Sequence, residues 1–304
     1  MKLLLTGAFK YTQEQIEYIK SLGHDVVFVQ DERIPIEFDV SDIEAVVCNG
    51  LFLYTPIEKF KSLKFIQLTS AGLDRVPLDY AKEHNIKIAN ARGVYSAPMA
   101  EFALCGVLQL YKQSRFFYEN QKQHKWEKHR GLLELIDKNV LIVGAGNIGS
   151  EVAKRFRAFD ANVIGVDLFP SDNPNFNEIY PIDELDNLLK TADVVVLTLP
   201  LTSDNEGFFN NEKFCLMKDS AVFVNIARGK LVNQNDLISA LEQCKIAGAV
   251  LDVFEEEPLE QNSKLWDFDN VIITPHNSFV GDSNNKRMFD TILFNLEEHV
   301  KNEQ

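Results

Sequence analysis

A glycine-rich turn at the centre of the chain constrains its fold more than any other feature. Val140-Leu141-Ile142-Val143 has the unbroken apolar pattern of a buried strand, and Gly144-Ala145-Gly146-Asn147-Ile148-Gly149 follows at once. Val152, Ala153, Phe156 and Phe159 then recur at helical spacing. Each glycine has a steric reason to be there. Gly144 permits the tight turn, Gly146 lets the backbone approach a pyrophosphate, and Gly149 lets helix and strand pack closely. The free N–H groups and the positive dipole end of the helix would hold the phosphates. The next strand, Asn162–Val166, leads into Asp167, about 18 residues past Gly149, where such folds place the acid for the adenosine ribose. The unit from Asn139 to Asp167 is thus predicted to be a Rossmann βαβ element that binds a dinucleotide. Its cofactor residues are Gly144, Gly146, Asn147, Ile148, Gly149 and Asp167. A carboxylate at 167 accepts hydrogen bonds from the ribose hydroxyls and repels a 2′-phosphate, and Leu168-Phe169-Pro170-Ser171 brings no Arg or Lys to neutralise one. The expected cofactor is NAD.

The motif lies mid-chain, so a second domain must be assembled around it. The N-terminal part alternates strand patterns (Lys2–Thr6, Asp25–Gln30, Ile43–Cys48, Lys64–Thr69, Ile86–Ala89) with helical ones (Thr12–Leu22, Pro77–His84). Short apolar strands between amphipathic helices imply a parallel sheet covered on both faces. A long helix is predicted from Pro98 through about Tyr118, carried by Met99, Phe102, Ala103, Val107 and Leu110, with the polar stretch Glu119–Arg130 interrupting it. After it come strands at Asn139–Val143, Asn162–Val166, Val194–Leu199, Ala221–Asn225, Ala247–Asp252 and Val271–Thr274. A closing helix over Met288–Val300 is expected to pack back on the first domain. The fold class is therefore α/β, two doubly wound parallel-sheet domains. The boundaries expected are 1–96 plus 282–304 for a substrate domain and 97–281 for the dinucleotide-binding domain.

Composition narrows the function. The net charge of −14 repels phosphate backbones and anionic lipid, which disfavours nucleic acid and membrane surfaces as partners. No apolar run approaches the ~20 residues of a membrane span, and no leader pattern opens the chain, so cytoplasmic residence is the default. The four cysteines show no metal spacing, so no metal is expected. Cys48, Cys105 and Cys215 read as small buried side chains.

Three ionisable residues follow strands of the central domain: Arg228 in Asn225-Ile226-Ala227-Arg228-Gly229, Glu257 in Leu251-Asp252-Val253-Phe254-Glu255-Glu256-Glu257-Pro258, and His276 in Thr274-Pro275-His276. Ligands of open α/β sheets bind beyond the carboxyl ends of strands. Reducing a 2-oxo acid needs a cation to hold the carboxylate and polarise the ketone, which a guanidinium fork does well. It also needs an acid to protonate the nascent alkoxide, a role suited to histidine oriented by a carboxylate.

With these segments together, the chain resembles the D-isomer-specific 2-hydroxyacid dehydrogenase family over nearly its whole length, most densely from Ser96 to His276. The resemblance implies a Rossmann domain inserted in a flavodoxin-like substrate domain. It implies that Arg228 binds substrate, that Glu257 (the glutamate directly before the proline) pairs with the histidine, and that His276 is the general acid/base. It places Asp252 near the nicotinamide carboxamide, Leu199 and Pro200 against the adenosine and ribose, and Ala227 behind the nicotinamide. Ala71 and Gly72, in Ser70-Ala71-Gly72-Leu73-Asp74, would hold the substrate carboxylate through backbone N–H groups. A homodimer is expected, built on the Pro98–Tyr118 helix and the Glu119–Arg130 arm. Two stretches depart from the family pattern: Asn277-Ser278-Phe279-Val280-Gly281 after the histidine, and Tyr95-Ser96-Ala97-Pro98-Met99. The segment Asn49-Gly50-Leu51-Phe52-Leu53-Tyr54 would line the cleft, and its apolar character, with no Arg or Lys before Lys59, favours a small or apolar 2-oxo acid over a phosphorylated one, Arg75 being the residue that speaks against this. The alternative is an NAD(H)-sensing scaffold of the corepressor type on the same fold.

Overall fold

The computed structural model describes residues 1–301, and the chain divides into two compact units, Met1–Tyr95 with Gly281–Gln304, and Ser96–Val280. The first unit contains β1 (Lys2–Thr6), α1 (Gln13–Ser21), β2 (Asp25–Val29), β3 (Ala45–Cys48), β4 (Phe65–Leu68), α2 (Leu78–Glu83) and β5 (Lys87–Ala89). Its five strands are parallel in the order β2-β1-β3-β4-β5, the flavodoxin-like arrangement. Alternate residues of the apolar strands build two separate cores. Leu4 packs with Val46 and Ile66 on one face, while Leu3 and Leu5 pack with Ala45, Val47 and Phe65 on the other. The second face is closed by Met288, Ile292 and Leu296 of the last helix of the chain, Asn284–Lys301, as the C-terminal pattern predicts. Asn295 of that helix donates to the buried Gln67 Oε1 at 2.7 Å. The entry into α1 is set by a capping box, in which the Thr12 hydroxyl accepts from Gln15 N and the Gln15 side chain accepts from Thr12 N.

The second unit opens with α3 (Ser96–Tyr111) and α4 (Ser114–Lys122). It continues with β6 (Asn139–Val143), α5 (Asn147–Arg157), β7 (Asn162–Asp167), β8 (Glu178–Pro181), α6 (Leu185–Leu189), β9 (Val194–Leu197), α7 (Asn211–Leu216), β10 (Val222–Asn225), α8 (Gln234–Glu242), β11 (Gly248–Leu251) and β12 (Val271–Ile273). The last helix is α9. All strands pair in parallel in the order β12-β11-β10-β9-β6-β7-β8. Counted from β6, this is the doubly wound Rossmann order with one further strand, and it reverses direction between β6 and β9. The central strands β6, β9, β10 and β11 are almost wholly buried, as sequences covered by helices on both faces must be. Gly106 lets α3 lie on β11, since a Cβ there would stand 2.4 Å from Val250 Cγ1.

Three expectations are corrected. The single helix through Tyr118 is two helices, because the chain turns at Gln113, whose φ is +53°. No glycine or proline marks that turn; α3 ends where its buried face runs out, after Val107 and Tyr111, and Glu119–Lys122 continue α4 rather than interrupting a helix. The seventh strand, β8, was not expected. It is a four-residue edge strand closed by Pro181, too short and polar to stand out as a pattern. Of the cysteines read as buried, only Cys48 is; Cys105 and Cys215 are exposed. Each sits one residue away from a buried helical position, beside Gly106 and Phe214, and one residue is about 100° of helix rotation.

Candidate active site

The Gly144–Gly149 turn has the steric features its motif requires. Gly144 takes φ +106°, a left-handed conformation that strains other residues, and a Cβ on Gly149 would lie 2.0 Å from the Gly144 oxygen. A Cβ on Gly146, by contrast, would meet nothing within 4 Å, so the space above this residue is open. Gly146 is the N-cap of α5 and supplies no side chain to its free N–H groups. An open approach and uncapped amides together fit a pyrophosphate. Asp167, at the end of β7, accepts from Ala145 N at 2.8 Å and from Phe169 N at 3.0 Å, which fixes its carboxylate over the turn. Thr198, which the motif does not include, anchors the turn from the far side by donating to the Gly144 oxygen at 2.6 Å. Leu199 is half-buried and the exposed Pro200 follows it, its carbonyl held by Asn205 Nδ2 at 2.8 Å.

Arg228 stands one turn beyond β10. Asn225 shapes that turn, its Oδ1 accepting from Ala227 N at 3.1 Å and its Nδ2 donating to the Arg228 oxygen at 3.0 Å. The Arg228 guanidinium is half-buried and donates to the Ala227 oxygen at 2.7 Å; among the described residues it has no acidic partner. Gly229 is required because a Cβ would stand 1.8 Å from Phe254 O, so the turn after β10 is pressed against the segment after β11. That segment carries the acidic triplet, whose members have separate fates. Glu255 accepts from Gln234 N at 2.9 Å, at the start of α8, and Glu256 faces solvent. Glu257 accepts from Phe254 N at 3.1 Å with one oxygen and meets His276 Nδ1 at 2.8 Å with the other.

His276 is held in the left-handed region, φ +50°, one residue beyond Pro275. Phe279 stands edge-on to its ring with centroids 6.1 Å apart. The side chains of His276 and Glu257 are 41% and 37% exposed, so the pair is formed yet reachable by a small molecule. Asp252, the residue associated with the carboxamide, is wholly buried, and its carboxylate is bonded by its own chain.

In the first unit the Ser70–Asp74 turn has its carbonyls occupied and its amides free. Ala71 O accepts from Asn90 Nδ2 at 2.6 Å and Gly72 O from Ser70 Oγ at 3.0 Å, whereas no acceptor faces the amides of Ala71 and Gly72 among the described residues. Tyr95 OH donates to Thr69 O at 2.5 Å just before the turn, and burial pushes this phenol up, which keeps it a donor. Asn90 and Tyr95 were not read from the sequence as supports, because their partners are backbone atoms some twenty residues away. The buried Glu32 is another such support. It accepts from Thr6 Oγ1 at 2.6 Å, from Asn49 N at 3.1 Å and from Gly50 N at 2.5 Å. Of the apolar segment that follows, Leu51 is buried whereas Leu53 and Tyr54 are exposed.

The second unit thus carries, on a Rossmann sheet with an open glycine turn, a paired glutamate and histidine and an arginine without an acidic partner among the described residues. The model of the D-isomer-specific 2-hydroxyacid dehydrogenase NAD-binding domain matches residues 104–278. The chain belongs to that family. It is 30% identical to a hydroxypyruvate reductase of Blautia hydrogenotrophica, over 99% of this chain and 97% of that one. It is 36% identical to a D-3-phosphoglycerate dehydrogenase of Methanocaldococcus jannaschii over 91% of this chain, and spans about half of that longer relative, 53%. Among solved structures it resembles the D-lactate dehydrogenase of Aquifex aeolicus complexed with NAD and lactic acid, at TM-score 0.78 and 26% identity over 99% of this chain and 96% of that one. The fold class, the family and the cofactor NAD thus agree with the sequence reading. No helix among the described residues is long and apolar enough to cross a membrane.

Proposed function

We propose that this enzyme interconverts a 2-oxo acid and the D-2-hydroxy acid, with His276 as general acid/base, Glu257 as its partner and Arg228 as the substrate-binding cation. The observation that best supports this is the Glu257–His276 contact of 2.8 Å on the unit that carries the glycine turn. A carboxylate at Nδ1 accepts a hydrogen bond from the N–H of that nitrogen, which orients the ring and leaves Nε2 to give its proton to an alkoxide, or to accept one in the reverse direction. Arg228, without an acidic partner among the described residues, holds the substrate carboxylate and polarises the ketone oxygen. Ala71 and Gly72 offer free amides to the same carboxylate class. When bound, NADH supplies the hydride. Gly144, Gly146, Asn147, Ile148 and Gly149 would hold its pyrophosphate and Asp167 its adenosine ribose. Leu199 and Pro200 would flank the adenosine, and Ala227 would back the nicotinamide.

The substrate we propose is small or apolar rather than phosphorylated. Glu32 already places a carboxylate on the Asn49 and Gly50 amides, the groups a phosphate at this segment would need. Arg75 is a cation close to it, its Cδ 3.8 Å from where a Gly50 Cβ would be. The test is kcat/KM with NADH across glyoxylate, hydroxypyruvate, pyruvate, 2-oxoisocaproate and phosphohydroxypyruvate. One of the first four should dominate; dominance of the phosphorylated acid would reverse this assignment. The enzyme is further proposed to be a cytoplasmic homodimer. The four free cysteines are consistent with a reducing compartment, and Phe117, Tyr118, Trp126, Leu132 and Leu133 expose apolar surface on and beyond α4.

A further inference from the structure

We infer that Asp252 is a positioning residue for His276, its buried carboxylate holding the Thr274–Ser278 turn in the conformation that presents the imidazole to Glu257. The inference rests on the catalytic role proposed for that histidine. Leu251 and Ile273 are register partners at the ends of β11 and β12, so Asp252 and Thr274 leave the sheet side by side. From there Asp252 holds the turn on both sides of His276. Its Oδ1 accepts from Thr274 Oγ1 at 2.7 Å and from Asn277 N at 2.8 Å, its Oδ2 accepts from Ser278 N at 2.9 Å, and its backbone oxygen accepts from His276 N at 2.8 Å.

Two features show why a carboxylate stands here. His276 occupies φ +50°, where a residue with a Cβ persists only if its surroundings impose the conformation. The surroundings that do so converge on one side chain. Asp252 is 0% exposed and has no cationic partner among the described residues, so three donors, not an ion pair, sustain its charge. An amide could not replace it. Asparagine has one acceptor oxygen, and its NH2 would face a Thr hydroxyl or a backbone N–H.

The test compares full-length wild type with Asp252→Asn, Thr274→Val and Thr274→Ser, reading kcat, the KM for the 2-oxo acid, and the NADH Kd by fluorescence titration. Displacing a reacting group by an ångström costs about 100-fold in rate, so Asp252→Asn should lower kcat by about that factor, a larger change than any in the NADH Kd. The double variant with Glu257→Gln should lose far less than the product of the two single losses, because both act through one imidazole. If the Asp252 variant does not fold, the threonine pair decides. Thr274→Val should lower kcat about tenfold, and Thr274→Ser should recover most of that loss. A tenfold weaker NADH Kd with kcat preserved, fully multiplicative losses, or wild-type kcat in Thr274→Val would overturn the inference. Wild type inactive on every 2-oxo acid would instead count against the proposed reaction. The positioning then remains readable without substrate, as a downfield His276 Nδ1–H proton resonance in wild type that Asp252→Asn should abolish and whose persistence would refute it.

Discussion

At the scale of single residues, the site depends on which atom of a side chain is committed to structure and which is left over. Glu257 gives one oxygen to Phe254 N and the other to His276, whereas Glu255, two residues earlier, is consumed at the start of α8. Three adjacent glutamates are indistinguishable by charge or composition. Their order relative to Pro258 singled out Glu257 through the family pattern, and the backbone path gives the physical reason. Glu257→Gln preserves size but offers His276 an amide whose NH2 can face Nδ1 and select the wrong tautomer. We expect kcat to fall by about 10²- to 10⁴-fold with the NADH Kd unchanged, measured by steady-state kinetics beside fluorescence titration; an unaltered kcat would remove Glu257 from the mechanism.

At the scale of elements, the strand ends are brought into register by close approaches that only glycine allows. Gly229 touches the Phe254 backbone and Gly149 touches the Gly144 carbonyl. The first contact presses the turn bearing Arg228 against the segment bearing Glu257. Gly229→Ala must push those backbones apart, since the obstructing atom is a carbonyl and not a flexible side chain end. The expected result is a loss of about 1–3 kcal/mol of stability in urea unfolding together with a fall in kcat. An alanine variant with wild-type stability would show that the segment after β11 can shift freely. The long predicted helix failed at this scale for a related reason. Its apolar spacing continues through Phe116 and Phe117, and the break at Gln113 depends on where the surface beneath α3 ends, which no local pattern records.

At the scale of the whole molecule, the first unit takes both ends of the chain and the second its middle. The second unit also displays apolar side chains that its own core does not use: Trp126 is 99% exposed, and Phe117 and Tyr118 stand on α4. Light scattering should give about twice the chain mass of 34.6 kDa, and Tyr118→Arg with Trp126→Arg should return it to the monomer value. A monomeric wild type would leave that surface without its proposed partner.

The amino-acid sequence by itself determined the βαβ unit and its cofactor, because a glycine turn between a strand and a helix, with an acid at the next strand end, is a local pattern with local causes. It also determined the two alternating α/β segments, since the side-chain period of a buried strand differs from that of an amphipathic helix. Only the tertiary structure decided what joins residues far apart in the chain. It brought Asp252 beside Thr274 and Ser278 across two strands, and Glu32 onto the amides after β3. It also added β8 at the sheet edge. Hydrogen bonds from a side chain to a distant backbone carry no residue-type signature at the accepting end, so the supports of the site had to be seen folded, while its glycine turn could be read in line.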